Sequence, residues 1–244
     1  MAAALKDVDV VLLCGGRGTR LGALTDDIPK PLLPVGDAPF LLHRLLELKR
    51  EGCSRILLSV HYLADQFRRF AAEHAAVLPK VDVVEEPSAL GTGGALRFAA
   101  RQVRSPLFMG MNGDSWFTQP LAPVLSDHHR TPRAATLVGI RADRVEGNTR
   151  AKGLLSIGPA GDLRGFVTGD ASGEQWINGG MYVLTAEQVR GWRDGAYDFE
   201  REVMSLIPAG EAIVFRSQAT LLDIGTPDCY ARAVAEVPTR SPRA

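Results

Sequence analysis

The sequence predicts an α/β protein with a mixed, mostly parallel central sheet, helices packed on it, and an antiparallel insertion in the second half. Two observations carry this. Between residue 8 and about residue 140, apolar runs of strand length alternate with segments of helical period, a rhythm that produces right-handed crossovers and a parallel sheet. Beyond that point the rhythm gives way to a hairpin signal and shorter strands. The chain has 244 residues, 45% of them hydrophobic and 23% charged, which excludes collagen, coiled coil and disorder.

Val8 to Cys14 is a buried first strand. Phe40 to Arg50 follows as a helix, with Leu41, Leu42, Leu45, Leu46 and Leu48 on one side and Arg44, Lys49 and Arg50 on the other. Strands at Arg55 to Val60, Val81 to Val84 and Leu107 to Met111 alternate with helices at Leu63 to His74 and Ala95 to Gln102. Ala134 to Ile140 is a further strand. Gly153 to Ile157, a turn at Pro159-Ala160-Gly161-Asp162, and Leu163 to Val167 form the hairpin, expected to cover the open side of the sheet. Trp176 to Leu184 is a strand broken by Gly179-Gly180, a short helix lies near Phe199 to Ile207, and strands follow at Ala212 to Phe215 and Thr220 to Asp223. The last helix, Pro227 to Val237, starts with Thr226 as N-cap and a proline at its first position. A single domain over 1–238 is expected, with a first half to about 140, a second portion over about 141–220, and a tail at 239–244.

Lys plus Arg number 28 and Asp plus Glu 28, so no net field holds a nucleic acid or an anionic membrane, and a polyanionic ligand must be gripped locally. Cys14, Cys53 and Cys229 are scattered, without a CxxC pair, which argues against a disulfide framework or a zinc site and for the cytoplasm. The histidines are spaced against imidazole metal ligation, and no targeting or membrane-spanning segment is visible.

The most informative stretch is Leu13-Cys14-Gly15-Gly16-Arg17-Gly18-Thr19-Arg20-Leu21, with Lys30 further on inside Pro29-Lys30-Pro31. A Gly-rich loop at the end of the first strand is where α/β sheets hold phosphates, because backbone N–H groups come close to phosphate oxygens only where Cβ atoms are absent. Leu21 stands where a dinucleotide fingerprint needs its third glycine, and no Gly-Lys-Ser/Thr of a Walker loop exists.

This stretch resembles the signature of the sugar-1-phosphate nucleotidyltransferases, GGxGTRL followed by PKP. Three further motifs of that family fall in order: Leu90-Gly91-Thr92-Gly93-Gly94-Ala95, Asn112-Gly113-Asp114, and Asp223-Ile224-Gly225-Thr226-Pro227. The resemblance spans roughly residues 8 to 235. It implies a Rossmann-like three-layer α/β/α fold and transfer of a nucleoside monophosphate from a nucleoside triphosphate to a sugar 1-phosphate, releasing pyrophosphate. About six negative charges must then be brought together, and neutralising them is most of the catalytic problem. Arg20 and Lys30 would be the catalytic cations, Arg20 on the β- and γ-phosphates and Lys30 near the α-phosphate, with Arg17 assisting. Leu13, Gly15, Gly16, Gly18 and Thr19 would line the nucleotide site with Gly91, Thr92 and Gly93. Asp114 and Asp223, each after an apolar strand, are the expected Mg²⁺ ligands, since hard carboxylates with phosphate oxygens complete an octahedral shell.

Glu85-Glu86-Pro87 precedes the second Gly-rich motif. Guanine offers two adjacent donors that a carboxylate accepts together, which favours GTP and resembles the guanylyltransferase branches, the D-glycero-α-D-manno-heptose 1-phosphate guanylyltransferases among them. The sequence leaves open whether Glu85 or Glu86 faces the base. On the sugar side, Trp176-Ile177-Asn178-Gly179-Gly180-Met181-Tyr182 resembles the family's pocket-lining segment, with Asn178 and Gly179 as substrate residues beside Asn112 and Gly113. Where many relatives carry a Glu-Lys pair, this chain has Val167-Thr168-Gly169-Asp170, so Lys152 or Arg150 is the expected cation for the sugar phosphate. The alternatives are a mannose-1-phosphate guanylyltransferase, a thymidylyl- or uridylyltransferase on a hexose 1-phosphate, and a non-catalytic nucleotide-sugar sensor. Family members are often oligomers, so a homo-oligomer is compatible with the sequence.

Overall fold

The computed structural model describes residues 4–146, 153–167 and 175–240. In chain order it contains β1 (Asp9–Leu13), a 3-10 segment at Thr19–Thr25, a 3-10 turn at Lys30–Leu32, β2 (Pro34–Val35), β3 (Ala38–Pro39), α1 (Phe40–Arg50), β4 (Arg55–Val60), α2 (Ala64–Glu73), β5 (Lys80–Glu85) and α3 (Gly91–Ala100). Then come β6 (Leu107–Asn112), β7 (Ser115–Phe117), α4 (Leu121–Arg130), β8 (Ala135–Arg141), β9 (Val145–Glu146), β10 (Leu154–Ile157), β11 (Leu163–Val167), β12 (Trp176–Thr185), α5 (Ala186–Arg190), α6 (Phe199–Leu206), β13 (Ala212–Ser217), β14 (Leu221–Asp223) and α7 (Pro227–Arg240).

The main sheet runs β6-β1-β4-β5 in parallel at one end. β12 joins β6 and β8 antiparallel, and β13 joins β8 parallel, so the sheet is mixed and mostly parallel as expected. Side chains along β1 alternate between two cores: Val10 and Leu12 meet α1, α2 and α4, while Val11 meets α3, α5 and α6. Three layers follow from that alternation. A third, smaller core under α7 packs Ala233 and Val237 on Trp116, Leu222 and Ile224.

The hairpin β10–β11 leaves the edge of β12 at Ile177 and folds back, its Gly161 carbonyl accepting a bond from Val214 N–H of β13 at 2.8 Å. The two glycines of β12 do not end the strand. They form a bulge, with register against β8 shifting between Asn178 and Tyr182, and Gly180 takes φ +69°.

Several sequence expectations need correction. Arg44 lies on the buried side of α1, 1% exposed, ion-paired with Glu47 and donating to Met111 Sδ at 3.7 Å, because the helix is covered on more than its leucine face. α3 begins at Gly91 rather than Ala95, so the second Gly-rich motif is the first turn of a helix and not a loop before it. α4 follows Pro120 and was not anticipated, although Leu121, Val124 and Leu125 have helical spacing. α7 continues to Arg240, past Val237. All three cysteines are buried and reduced, and burial pushes the Cys53 thiol up to about 12. Among the described residues no helix is long and apolar enough to cross a membrane.

Candidate active site

The carboxyl ends of β1 and β6 and the first turn of α3 enclose an open cleft of about 320 Å³, lined by Leu13, Gly15, Gly16, Glu86, Gly91, Thr92, Asn112 and Asp114 among others. A cleft at the strand ends is where the backbone of a parallel sheet turns over, so donors and carboxylates from separate strands converge there. Gly15 packs on Glu86: a Cβ there would stand 2.9 Å from Glu86 Oε1 and the carboxylate would have to shift. Gly18 sits at φ +72° and packs on Lys30, where an added Cβ would lie 3.2 Å from the lysine Cβ, so the Gly-rich loop and the Pro-Lys-Pro turn stand side by side.

Lys30 is 8% exposed and ion-paired with Asp114. Burial alone would pull its ammonium down, but the charge of Asp114 and the bond to it, with Asp223 beyond, outweigh burial and hold it above its ordinary value. Asp223 is brought to Asp114 by strand pairing, since β14 lies antiparallel to β7 with Asp223 opposite Ser115, and Ile224 N–H donates to the Asp114 carbonyl at 3.1 Å. Arg20 reaches the same point: a Cβ on Gly225 would meet its Nη2 at 2.9 Å and Asp223 Oδ1 at 2.5 Å. Arg20, Lys30, Asp114 and Asp223 thus form one charged cluster, drawn from four separate stretches of chain. Arg17 stands apart, its guanidinium 5.4 Å from the centre of the Tyr62 ring. Thr19 opens the exposed 3-10 segment behind the loop.

The two neighbouring glutamates diverge. Glu85 is exposed and ion-paired with Arg68 on the outside of β5. Glu86 points into the cleft, 4% exposed, with Ser59 O–H donating to Oε1 at 2.8 Å and Leu90 N–H to Oε2 at 3.3 Å. Burial raises its pKa above the ordinary carboxylate value, and those two donors oppose the rise. Cys14 lies beneath the Asn112-Gly113-Asp114 turn, where a Cβ on Gly113 would stand 2.3 Å from its Sγ, and burial pushes its thiol far up, which removes it as a nucleophile.

On the β12 side, behind the cleft lining, Asn178 is 5% exposed and its amide is bonded within the protein. Its Nδ2 donates to Tyr182 Oη at 2.8 Å and Glu200 Oε1 at 3.2 Å, and its Oδ1 accepts from Gly180 N–H at 3.0 Å. Gly179 does not face the cleft; a Cβ there would meet Phe117 Cζ at 2.8 Å and the Val138 carbonyl at 2.9 Å. Gly93 is pressed against the Tyr197 ring, and its N–H donates to the Tyr197 carbonyl at 3.0 Å. Lys152 and Arg150, with Thr168-Gly169-Asp170, lie outside the described residues.

The sequence reading missed Asp198, which lines the cleft, and Glu200, which receives Thr92 O–H at 2.8 Å. The only signal for either was the acidic-aromatic run Tyr197-Asp198-Phe199-Glu200, and Asp and Glu at a helix start are accounted for by the helix dipole alone.

The chain as a whole matches known proteins. The nucleotidyl transferase family model covers residues 9–240. A mannose-1-phosphate guanylyltransferase of Mycobacterium tuberculosis is 32% identical over 96% of this chain and 66% of its own length, so the chain spans just under two thirds of that relative. A D-glycero-α-D-manno-heptose 1-phosphate guanylyltransferase of Campylobacter jejuni is 27% identical over 91% of this chain and 97% of its own. The crystal structure of HddC from Yersinia pseudotuberculosis complexed with GMP-PN superposes with a TM-score of 0.80 at 29% identity, covering 94% of this chain and 99% of that one. Signature loop, charged cluster, buried glutamate and family model agree over one span of sequence, and the chain belongs to the nucleotidyl transferase family.

Proposed function

We propose that the protein transfers a guanylyl group from GTP to a sugar 1-phosphate of manno configuration, a heptose or mannose, giving a GDP-sugar and pyrophosphate. The observation that carries the nucleotide choice is Glu86, a buried carboxylate at the cleft whose oxygens each retain a lone pair beyond the bonds from Ser59 and Leu90. Guanine presents N1–H and N2–H side by side and matches those two acceptors, whereas uracil and thymine present a single donor flanked by carbonyls, which a carboxylate repels. The two relatives named above and the structure with GMP-PN support the same reading.

In this mechanism a sugar-phosphate oxygen attacks the α-phosphorus, the new P–O bond forms as the bond to the β-phosphate oxygen breaks, and pyrophosphate departs with that electron pair. Lys30, held charged by Asp114, supplies positive charge at the α-phosphate, and Arg20 takes up charge on the leaving pyrophosphate. Gly15 and Gly16 let the backbone approach the nucleotide without a Cβ in the way. Asp114 and Asp223 fit a divalent metal by the chemistry of their donors, two hard carboxylates from paired strands beside a phosphate site, and would hold Mg²⁺. A bound Mg²⁺ supplies charge neutralisation on the phosphate oxygens. GTP and sugar phosphates place such an enzyme in the cytoplasm.

The test is pyrophosphate release measured with GTP, dTTP, UTP, CTP and ATP, each against a panel of sugar 1-phosphates in Mg²⁺. GTP with a manno-configured sugar 1-phosphate should give the highest kcat/KM. A preference for UTP or dTTP would overturn the base assignment, and no release with any pair would overturn catalysis.

A further inference from the structure

Three segments far apart in the chain meet at one carboxylate. Glu200, near the start of α6, accepts Thr92 O–H on Oε2 at 2.8 Å, and on Oε1 it accepts Asn178 Nδ2 at 3.2 Å and Tyr182 O–H at 3.1 Å. Thr92 belongs to the first turn of α3 and lines the cleft; its Oγ1 in turn accepts Phe199 N–H at 2.7 Å. Asn178 and Tyr182 flank the bulge of β12, the strand assigned to the sugar side. Tyr182 is fully buried, and burial together with the Glu200 charge pushes its phenol well up, so it acts here as a donor and stays protonated.

Asn178 has spent both amide hydrogens inside the protein. It therefore cannot donate to a sugar without releasing Glu200 or Tyr182, and its orientation is set by the carboxylate. We infer that Glu200 is a positioning residue that couples the two sides of the site, its two walls, tying Thr92, which lines the cleft on the nucleotide side, to Asn178 of β12 on the sugar side, so that a change at one wall is felt as affinity at the other. The inference rests on the guanylyl-transfer reading above. Physically, a carboxylate accepting from both walls lets neither shift alone without leaving a donor unmatched in a largely buried place. Coupling through such a shared group is reciprocal: whatever nucleotide binding does to the sugar wall, sugar binding does to the nucleotide wall.

The experiment is a double-mutant cycle on Thr92→Val and Asn178→Ala, read as KM for mannose 1-phosphate at saturating GTP, with kcat and Tm recorded for each variant. The two residues are joined through Glu200, so coupling predicts that the double variant raises KM by clearly less than the product of the single effects. Repeated in Glu200→Ala, the interaction should vanish, and Glu200→Ala alone should raise KM for the sugar phosphate about tenfold, the loss expected when more than one net hydrogen bond goes. Glu200→Gln should restore most of it, since its amide oxygen can accept from Asn178 and Tyr182 while its NH₂ donates to Thr92 Oγ1. A merely structural Glu200 would lower Tm and leave KM unmoved. Multiplicative effects of Thr92→Val and Asn178→Ala overturn the coupling, and this arm holds even where Glu200→Ala does not fold. Wild-type protein that makes no GDP-sugar with any sugar 1-phosphate defeats the functional reading and the coupling with it, whereas turnover with multiplicative effects defeats the coupling alone.

Discussion

On the nucleotide wall the functional groups come from short contiguous runs, Gly15 to Gly18, Pro29 to Pro31 and Asn112 to Asp114, whereas the second wall, carried by Asn178 and Tyr182 of β12, is tied to Thr92 by Glu200 across three separate elements. The first wall works with backbone and fixed charge. The second works through side chains that hold one another. A backbone cradle is specified by where Cβ atoms must be missing, which leaves glycines and prolines in the sequence at set spacings. A side-chain network is specified by who meets whom in space, and ordinary residues such as Asn, Tyr, Thr and Glu carry no such mark.

Breaking the charged end of the nucleotide wall should have the largest effect. Asp114→Asn removes a carboxylate that holds Lys30 and faces the phosphate chemistry, and kcat should fall about 100- to 1000-fold, as when one preorganised charge-stabilising group is lost. Circular dichroism should show the fold retained; wild-type turnover would reject the assignment.

Glu86→Gln comes next, with KM for GTP raised about 10- to 100-fold, the worth of one or two bonds to a charged acceptor. Its pH dependence follows from the raised pKa. A protonated Glu86 loses an acceptor, so GTP affinity is full above the folded-state pKa and falls as pH drops through it, nearer neutrality than for an exposed glutamate. The Gln variant should give a flat KM for GTP over that range; an unchanged profile would remove Glu86 from base recognition.

Gly91→Ala sharpens where the two walls join. Gly91 sits at φ +67°, and a Cβ there would stand 2.6 Å from the Tyr197 carbonyl oxygen, so strain and a backbone clash coincide. Loss of roughly 1–3 kcal/mol is expected from the left-handed conformation alone, measured as a lowered denaturant midpoint. The smallest effect belongs to Glu85→Gln, which breaks an exposed pair with Arg68 outside the cleft. KM for GTP and Tm should both match wild type; a raised KM would return Glu85 to the site.

The same contrast explains what could be read in advance. The α/β rhythm, the parallel direction of β1, β4, β5 and β6, the hairpin and the four motifs were legible because periodicity and glycine placement are local properties. Arg44 was misplaced because helical period tells which side is apolar, not what covers the other side. Gly91 to Gly94 looked like a loop because glycine disfavours helix, yet Tyr197 crosses so close that any side chain at Gly93 would strike its ring.

By itself, then, the sequence determined the fold class, because hydrophobic periodicity is local, and its motifs singled out Arg20, Lys30, Asp114 and Asp223, which the folded chain gathers into one charged cluster. Only the tertiary structure decided between Glu85 and Glu86, because adjacent residues at the end of a strand point opposite ways and the strand's position in the sheet sets which way is inward. It alone engaged Asn178 with Glu200, since a contact between residues 22 positions apart in sequence exists only once β12 and α6 are packed together.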